Sequence, residues 1–271
     1  MIYLICSPIG NLNDISLRSI EILSNSDLIY AEDTRKAKKI IDKYRINKKS
    51  FSLNDHNEKR KTKKIIQEAK TGKVISVMSD AGAPLISDPG YLLVSECIKQ
   101  NIEFSVIPGP SSVINSLLLS GLKINKFMFL GFVPRRDSER KMLFENNLKN
   151  EATLVFFESP KRLIKTLSAM KDIYTSSRQI AICREMTKKH EEVIRGSISE
   201  IYKNISTNAI KGEVCILVEG NENDKEASLN LNNGIKEMVL RKMSPSEGAK
   251  LLSLITKKNK RNLYKWLIKK S

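Results

Sequence analysis

The chain has 271 residues, with 47 Lys and Arg against 30 Asp and Glu, and a formal net charge of +17. At about 100–200 residues per domain, this length predicts one or two globular domains. A content of 41% hydrophobic and 28% charged residues is typical of a folded protein rather than a disordered one. The apolar runs are too short for a membrane-spanning helix, and the opening residues, MIYLICSPIG, lack the basic segment of a signal peptide. We therefore expect a cytoplasmic protein, neither secreted nor membrane-spanning.

Lysine supplies most of the positive charge. Of the 47 basic residues 34 are Lys, and Ile and Asn are also abundant, which is typical of proteins from AT-rich genomes. The excess charge still favours polyanionic partners, so nucleic acid is a candidate ligand.

The four cysteines, Cys6, Cys97, Cys183 and Cys215, are far apart and include no CxxC pair. Structural zinc needs clustered ligands, so we expect buried, reduced thiols and no metal site.

Residues 1–120 alternate short apolar strands with helical patterns and predict an N-terminal α/β domain. The predicted strands are Ile2–Cys6, Asp27–Ala31, Ser50–Leu53, Val74–Met78 and Phe104–Ile107. Helices are predicted from Leu17 to Leu23 and over Lys38–Tyr44, Asn57–Lys70, Leu92–Lys99 and Ser112–Leu119. Such alternation indicates a mainly parallel sheet with ligand loops at the carboxyl ends of its strands.

Residues 121–222 predict a second α/β domain with a mixed sheet. Its predicted strands are Phe127–Phe132, Thr153–Glu158, Gln179–Arg184, Glu192–Arg195 and Glu213–Val218. Its predicted helices are Ser138–Leu148, Pro160–Ile173 and Ile198–Ile205.

A polar linker over residues 223–233 and a basic helical tail over 234–271 complete the predicted organisation. From Lys236 to Ser271 there are 11 basic and 2 acidic residues, a surplus of 9. Two or three short helices with this charge are compatible with a helix-turn-helix-like nucleic-acid module, or with a helical cap that packs on the main body.

Three loops that follow predicted strands carry the unusual sequence. There is no GxGxxG after the first strand and no GxxxxGK[ST], so neither a dinucleotide dehydrogenase nor a P-loop NTPase is supported. The loops are SPIGNLND (7–14), SDAGAPLISDPG (79–90) and PGPSS (108–112). A plain connection needs only a few residues, so a loop as long as 79–90 at a strand's carboxyl end indicates a binding site.

Seven motifs in order give the chain a family resemblance. SPIGNL, AEDTR, SDAGAPLISDPG, PGPSS, GFVPR, FFESPKRL and REMTKKHEE closely resemble the ribosomal RNA small subunit methyltransferase I family, of the tetrapyrrole-methylase-like class. The resemblance runs from Tyr3 to about Glu219, and the basic tail resembles the family's C-terminal extension.

The resemblance implies two α/β domains of tetrapyrrole-methylase-like type with a cofactor cleft between them, usually in a homodimer. It implies methylation of the ribose 2′-OH of a cytidine in the decoding region of 16S rRNA, with the rRNA assembled in the small ribosomal subunit and with S-adenosylmethionine as cofactor. The cofactor-binding residues implied by the matching loops are Pro8, Gly10, Asp80, Ala81, Gly82, Asp88 and Ser111.

The methyl-transfer chemistry needs no metal, but a base or a cation near the acceptor hydroxyl would help. Asp33, Arg35, Glu158 and Arg184 follow predicted strands and are the predicted catalytic residues. Three of them have a structural alternative: Asp33 and Arg35 as a helix cap with an ion pair, and Glu158 with Arg162 as an i,i+4 pair.

Basic residues outside these loops suit phosphate contacts. The predicted RNA-binding residues are Lys61, Lys63, Arg135, Arg136, Lys257, Lys258, Lys260 and Arg261. The alternative for any such run is a solvated surface.

Two other functions stay open on the sequence alone. One is a methyltransferase of the same class that acts on a tetrapyrrole or other small molecule. The basic tail and the motif sequences, which are closer to those of the RNA-modifying branch, argue against it. The other is a catalytically inactive relative that binds RNA or the ribosome, against which three intact cofactor loops argue.

Overall fold

The computed structural model describes residues 1–207, 210–221, 231, 233–256 and 259–269. Its strands are β1 Ile2–Ile5, β2 Leu28–Ala31, β3 Ser50–Ser52, β4 Ile75–Met78, β5 Phe104–Ile107, β6 Phe127–Phe132, β7 Thr153–Glu158, β8 Gln179–Arg184, β9 Glu192–Ser197 and β10 Val214–Val218. Its helices are α1 Leu17–Asn25, α2 Thr34–Lys43, α3 Glu58–Lys70, α4 Tyr91–Lys99, α5 Ser112–Ser120, α6 Asp137–Asn146, α7 Leu163–Ile173, α8 Ile198–Thr207, α9 Asn233–Lys242, α10 Pro245–Thr256 and α11 Lys260–Ile268.

The first five strands form one parallel sheet in the order β3-β2-β4-β1-β5. The strands β1 and β4 are apolar because both of their faces are covered: Ile2, Leu4 and Val77 pack in one buried cluster, and Ile5 and Met78 pack in another. The predicted parallel sheet is confirmed.

The remaining strands form the predicted mixed sheet, in which the strand order is β6-β7-β10-β8-β9. Strands β6 and β7 are parallel, whereas β10 runs antiparallel to both β7 and β8. Phe144, Phe156 and Leu167 are fully buried on the side covered by α6, α7 and α8.

Two helices, α2 and α7, begin three or four residues away from their predicted starts. Helix α2 begins at Thr34, earlier than Lys38, because the Asp33 side chain accepts a hydrogen bond from the Arg35 amide and caps the helix. Helix α7 begins at Leu163 rather than Pro160. The three residues from Pro160 to Arg162 instead form a turn.

The described parts of Met1–Leu148 and Ala152–Glu219 form one compact unit, and those of Lys149–Glu151 and Gly220–Ser271 form a second. Helices α9–α11 of the second unit share a core of Val239, Ala249, Leu252, Leu263 and Leu267. The division of the first unit at residue 120 stays a prediction, and most of the predicted linker, namely residues 223–230 and 232, lies outside the described residues.

No helix within the described ranges is long and apolar enough to cross a membrane.

Candidate functional site

A cavity of about 520 Å³ lies in the first unit, where loops of the first sheet meet strand ends of the second sheet. From the first sheet come the loops that follow β1, β2, β4 and β5, which end at the same edge because those strands are parallel. From the second come the ends of β7 and β8 and the start of β10, because Val214 pairs with both Glu158 and Arg184 across antiparallel neighbours. A cavity of this size at the carboxyl ends of strands is typical of a small-molecule site.

The loops after β1 and β4 are joined to each other beside the cavity. Ser7 and Gly82 exchange two backbone hydrogen bonds of 2.8 and 2.9 Å, and the Ser79 hydroxyl donates to the Gly82 carbonyl at 2.7 Å. Gly82 has φ +74°, a conformation that favours glycine, and a Cβ there would lie 3.4 Å from Ile9 Cγ2. The two loops therefore form a single rigid wall.

The middle of the 79–90 loop is backbone-strained and lines the cavity. Leu85 and Ser87 have φ angles of +70° and +66°, which non-glycine residues rarely adopt. The buried carboxylate of Glu58, at the start of α3, accepts 2.9 Å hydrogen bonds from the amides of Gly90 and Leu92 and holds the end of this loop. Strain that neighbouring structure maintains in this way is typical of ligand loops.

The second sheet gives the cavity an apolar wall. Cys183 and Cys215 lie opposite each other on β8 and β10, and Phe157 and Met186 lie nearby on the same side. Burial raises the pKa of Cys183 to about 11 and that of Cys215 to about 12, so both thiols stay protonated near neutral pH. This wall suits an aromatic or aliphatic ligand group.

Acidic side chains dominate the polar part of the cavity, with Lys36 as a cation among its described lining residues. The Asp80 carboxylate accepts from the Asp33 amide and from Lys36 Nζ, both at 2.8 Å. Oε2 of Glu32 and Oδ2 of Asp88 are buried and accept no hydrogen bond from any described residue. Burial, followed by repulsion from Glu32 and Asp80, raises the pKa of Asp88 to about 7. The two free oxygens can accept hydrogen bonds from ligand hydroxyl or amino groups.

Five of the seven predicted cofactor residues line this cavity: Asp80, Ala81, Gly82, Asp88 and Ser111. Ser111 also caps α5, because its hydroxyl accepts from the Ile114 amide. In the loop after β1, Ile9 is the lining residue rather than Pro8 or Gly10.

Gly10 packs instead against the 186–188 segment. A Cβ at Gly10 would lie 2.5 Å from Lys188 Cγ and 2.7 Å from the Met186 carbonyl oxygen. The glycine is required there by close backbone approach.

The predicted catalytic residues do not meet at the cavity. Asp33 and Arg35 have the alternative arrangement, a helix cap with an ion pair: Arg35 is 88% exposed and donates to Asp33 at 2.6 Å, which holds the pKa of Asp33 well below its usual range. Arg184 points to the opposite face of β8 from Cys183 and pairs with Glu192 at 2.5 Å.

Glu158 borders the cavity, but its side chain is fully buried and its oxygens are occupied. Oε1 pairs with Arg162 at 2.5 Å and accepts from the Ser159 amide at 2.6 Å. Oε2 accepts from the Thr166 hydroxyl at 2.6 Å. The expected i,i+4 pair with Arg162 is present, and the carboxylate fixes the turn before α7.

The predicted RNA-binding residues lie on several elements. Lys61 and Lys63 are on α3, where Lys61 Nζ lies 5.9 Å from the Tyr30 ring centre. Arg135 and Arg136 are exposed before α6, and Arg136 pairs with Glu139 at 3.1 Å.

In the second unit, Lys260 and Arg261 are exposed at the start of α11. Lys257 and Lys258 lie outside the described residues.

Glu32 and Lys36 are cavity residues that sequence reasoning did not select. The available signal was position: Glu32 is the first residue after β2, and β2 neighbours β4, whose following loop is 79–90. Choosing Asp33 and Arg35 within the same motif missed the residue that directly follows the strand.

The sequence model described as Tetrapyrrole (Corrin/Porphyrin) Methylases matches residues 1–202. A protein named "Ribosomal RNA small subunit methyltransferase I" from Thermotoga maritima is 43% identical over 217 residues, covering 80% of this chain and 96% of that protein. One of the same name from Halalkalibacterium halodurans is 42% identical, covering 81% and 76%. The chain belongs to the ribosomal RNA small subunit methyltransferase I family.

The family relationship extends into the second unit. The Vibrio cholerae member of the ribosomal RNA small subunit methyltransferase I family is 36% identical over 98% of this chain and 93% of its own. The chain is therefore a methyltransferase.

Solved structures share its fold. A crystal structure of diphthine synthase has a TM-score of 0.65 at 16% identity, covering 80% of this chain and 89% of that one. The cobalt precorrin-4 methyltransferase CbiF has a TM-score of 0.60 at 15% identity, covering 80% and 94%. The predicted tetrapyrrole-methylase-like fold class is confirmed.

Proposed function

We propose that the protein methylates the 2′-OH of a cytidine ribose in the decoding region of 16S rRNA, with S-adenosylmethionine as methyl donor. The observation that carries this proposal is identity of 42–43% to family members over about four fifths of the chain, in which the cavity-lining loops lie. A substrate within the small ribosomal subunit implies action in the cytoplasm.

The size and the lining of the cavity support this choice of methyl donor. Its volume of about 520 Å³ suits a nucleoside-sized ligand. The free oxygen of Asp88 can accept from hydroxyl or amino groups and its carboxylate favours a cationic sulfonium, while Phe157 and Met186 offer apolar contact. When bound, the cofactor supplies an activated methyl group.

We assign cofactor contact to Ala81, Gly82, Asp88 and Ser111, which line the cavity. Asp80 would act by holding the loop, because both of its oxygens already accept hydrogen bonds or pair within the protein. Pro8 and Gly10 would shape the turn that presents Ile9 to the ligand.

For rRNA we propose phosphate contacts by exposed cations, because each neutralised phosphate releases counterions and strengthens binding. Lys63, Arg135, Lys260 and Arg261 are exposed and suited to this role. The described part of α9–α11 is compatible with a nucleic-acid module of helix-turn-helix type, with Lys260 and Arg261 opening its last helix.

We also propose that the protein is a homodimer. Helix α5 buries Val113 and Leu117 but exposes Ile114 and Leu118, the latter by 68%. A second copy would cover this apolar face. Sedimentation of Leu118→Glu against wild type tests this: loss of the dimer is expected, and a wild-type monomer contradicts it.

The function is tested by methyl transfer from labelled S-adenosylmethionine to small ribosomal subunits that lack their native methylations. Alkaline hydrolysis cannot cut beside a 2′-O-methyl ribose, so the modified nucleotide appears as one protected site. A protected decoding-region cytidine is expected. Cofactor binding without transfer to subunits or free rRNA would favour a small-molecule methyltransferase, and no cofactor binding would favour an inactive RNA-binding relative.

A further inference from the structure

The carboxylates around the cavity differ in whether they can accept a proton from a ligand. Asp80 is occupied by the Asp33 amide and Lys36 at 2.8 Å each. Glu158 is occupied by Arg162, Ser159 and Thr166. Both are therefore committed to holding the protein's own structure.

Glu213 lies at the rim of the cavity. Its side chain is 74% exposed and pairs with Lys188 at 3.1 Å. Water and the lysine ammonium group already interact with this carboxylate, so it has no need of a ligand partner. Among the described lining carboxylates, Glu32 and Asp88 are then the two candidates for accepting a proton from a ligand.

These two residues differ in their position. Asp88 belongs to the 79–90 loop, to which the proposed function assigns the cofactor. Glu32 follows β2 and lies outside the three cofactor loops, yet its Oε2 is buried at the same cavity without a hydrogen-bond donor from any described residue. A buried carboxylate oxygen that lacks a protein partner is costly unless a ligand uses it.

We propose that Glu32 is the catalytic base that accepts the proton of the methyl-acceptor hydroxyl. This inference rests on the proposed function, because it requires a hydroxyl acceptor in this cavity. Lys36 lines the same cavity four residues further along the chain, and its 2.8 Å pair with Asp80 holds there a cation that offsets part of the negative charge.

The proton and electron balance needs an acceptor for the proton of the hydroxyl group. The hydroxyl oxygen forms a bond to the methyl carbon and loses its proton, while the carbon–sulfur bond of the donor breaks and its electron pair stays on sulfur. The proton goes to the Glu32 carboxylate, which becomes a carboxylic acid and then releases the proton to water. No oxidant, reductant or metal enters this balance.

The surroundings of Glu32 raise the pKa of its carboxyl group, which makes it a stronger base. Burial is the main cause that raises its pKa, and the carboxylates of Asp80, Asp55 and Asp33 add to the effect while Lys36 opposes it. A general base works best when its pKa approaches the working pH. Asp88, with a pKa of about 7, carries a proton in part of the molecules at neutral pH, which limits repulsion between the two carboxylates.

The test compares Glu32→Gln, Glu32→Asp and Asp88→Asn with wild type in methyl transfer to unmethylated small subunits and in calorimetric titration with S-adenosylmethionine. Glu32→Gln is expected to lower kcat by about 10²–10⁴-fold, the usual contribution of a general base, with cofactor Kd unchanged. Glu32→Asp should recover part of kcat. In wild type kcat should rise with pH through the pKa of Glu32, and Glu32→Gln should lose this rise.

Asp42→Asn is the matched control, since Asp42 is an exposed carboxylate on α2. It should leave kcat and cofactor Kd unchanged.

The stability of the cofactor-free protein as a function of pH is a second, independent measurement of the role of Glu32. A carboxyl whose folded pKa is raised makes the fold less stable as pH rises from the unfolded pKa through the folded one. Wild type should therefore lose stability over that range relative to Glu32→Gln, so the variant should fold at least as well at pH 8. This measurement also excludes misfolding as the cause of lost activity.

Three results would overturn the proposal while wild type still transfers methyl groups. Glu32→Gln could retain wild-type kcat; it could lose cofactor affinity in parallel with kcat, which would make Glu32 a cofactor ligand; or Asp88→Asn alone could abolish kcat at unchanged Kd, which would make Asp88 the base. Absence of transfer by wild type would instead contradict the proposed function.

Discussion

Replacing Glu58 tests whether the 79–90 loop is held from outside the cavity. Oε1 of Glu58 accepts hydrogen bonds of 2.9 Å from Gly90 and Leu92, and the residue is 8% exposed. Hydrogen bonds to a charged group contribute about 1.5–3 kcal/mol each, and an unpaired buried donor costs about 1–3 kcal/mol. Because the Leu92 bond is only partly buried, we expect Glu58→Ala to lower the free energy of unfolding by about 3 kcal/mol.

Glu58→Gln is the informative comparison because it keeps an oxygen at Oε1 but removes the charge at the start of α4. A charge at a helix N-terminus contributes about 0.3–1 kcal/mol, so this variant should lose about 1 kcal/mol. Urea unfolding followed by circular dichroism gives both values. Glu68→Ala is the control on the same helix as Glu58: it removes a surface pair with Lys73 and should change the stability little.

The same substitutions should reach the ligand site. If Glu58 maintains the strained conformation of Leu85 and Ser87, Glu58→Ala should weaken cofactor binding and Glu58→Gln should weaken it less. Alanine and glutamine variants with wild-type stability and wild-type cofactor Kd would refute the reasoning.

Three further changes test other parts of the structure. Gly10→Ala should destabilise the fold by about 1–3 kcal/mol in urea unfolding, because its Cβ would lie 2.5 Å from Lys188 Cγ; a neutral effect would contradict this close approach. Cofactor affinity should rise with pH around the Asp88 pKa of about 7, since the ionised form attracts a cationic ligand, and Asp88→Asn should flatten that profile in calorimetry; a flat wild-type profile would exclude Asp88 contact. Replacing both Lys260 and Arg261 with Ala should weaken rRNA binding and lower the magnitude of its salt slope by about 2, whereas an unchanged slope would remove α11 from the RNA surface.

Strand and helix positions were largely predictable because buried strands such as Val74–Met78 and amphipathic helices such as Asn57–Lys70 carry clear hydrophobic patterns. The cofactor loops were predictable because Gly, Pro and Asp cluster where strands end. Side-chain direction was not: Asp33 turns to cap α2, while the adjacent Glu32 turns into the cavity.

Long-range partners were also beyond the sequence. The three groups that occupy Glu158 and the approach of Gly10 to residues 186–188 arise from tertiary packing. A pattern along the chain does not record which distant residues meet. Glu158 is an example: its residue type and its place at the end of a strand predict catalysis, whereas its partners Arg162, Ser159 and Thr166 are visible only in the fold.

Methyl transfer to small ribosomal subunits lacking their native methylations, mapped by alkaline hydrolysis, is the most direct test of the account. The account predicts one protected cytidine in the decoding region, formed by wild type and about 10²–10⁴-fold more slowly by Glu32→Gln. Methyl groups on a base rather than a ribose, or no transfer from an enzyme that binds S-adenosylmethionine, would contradict it.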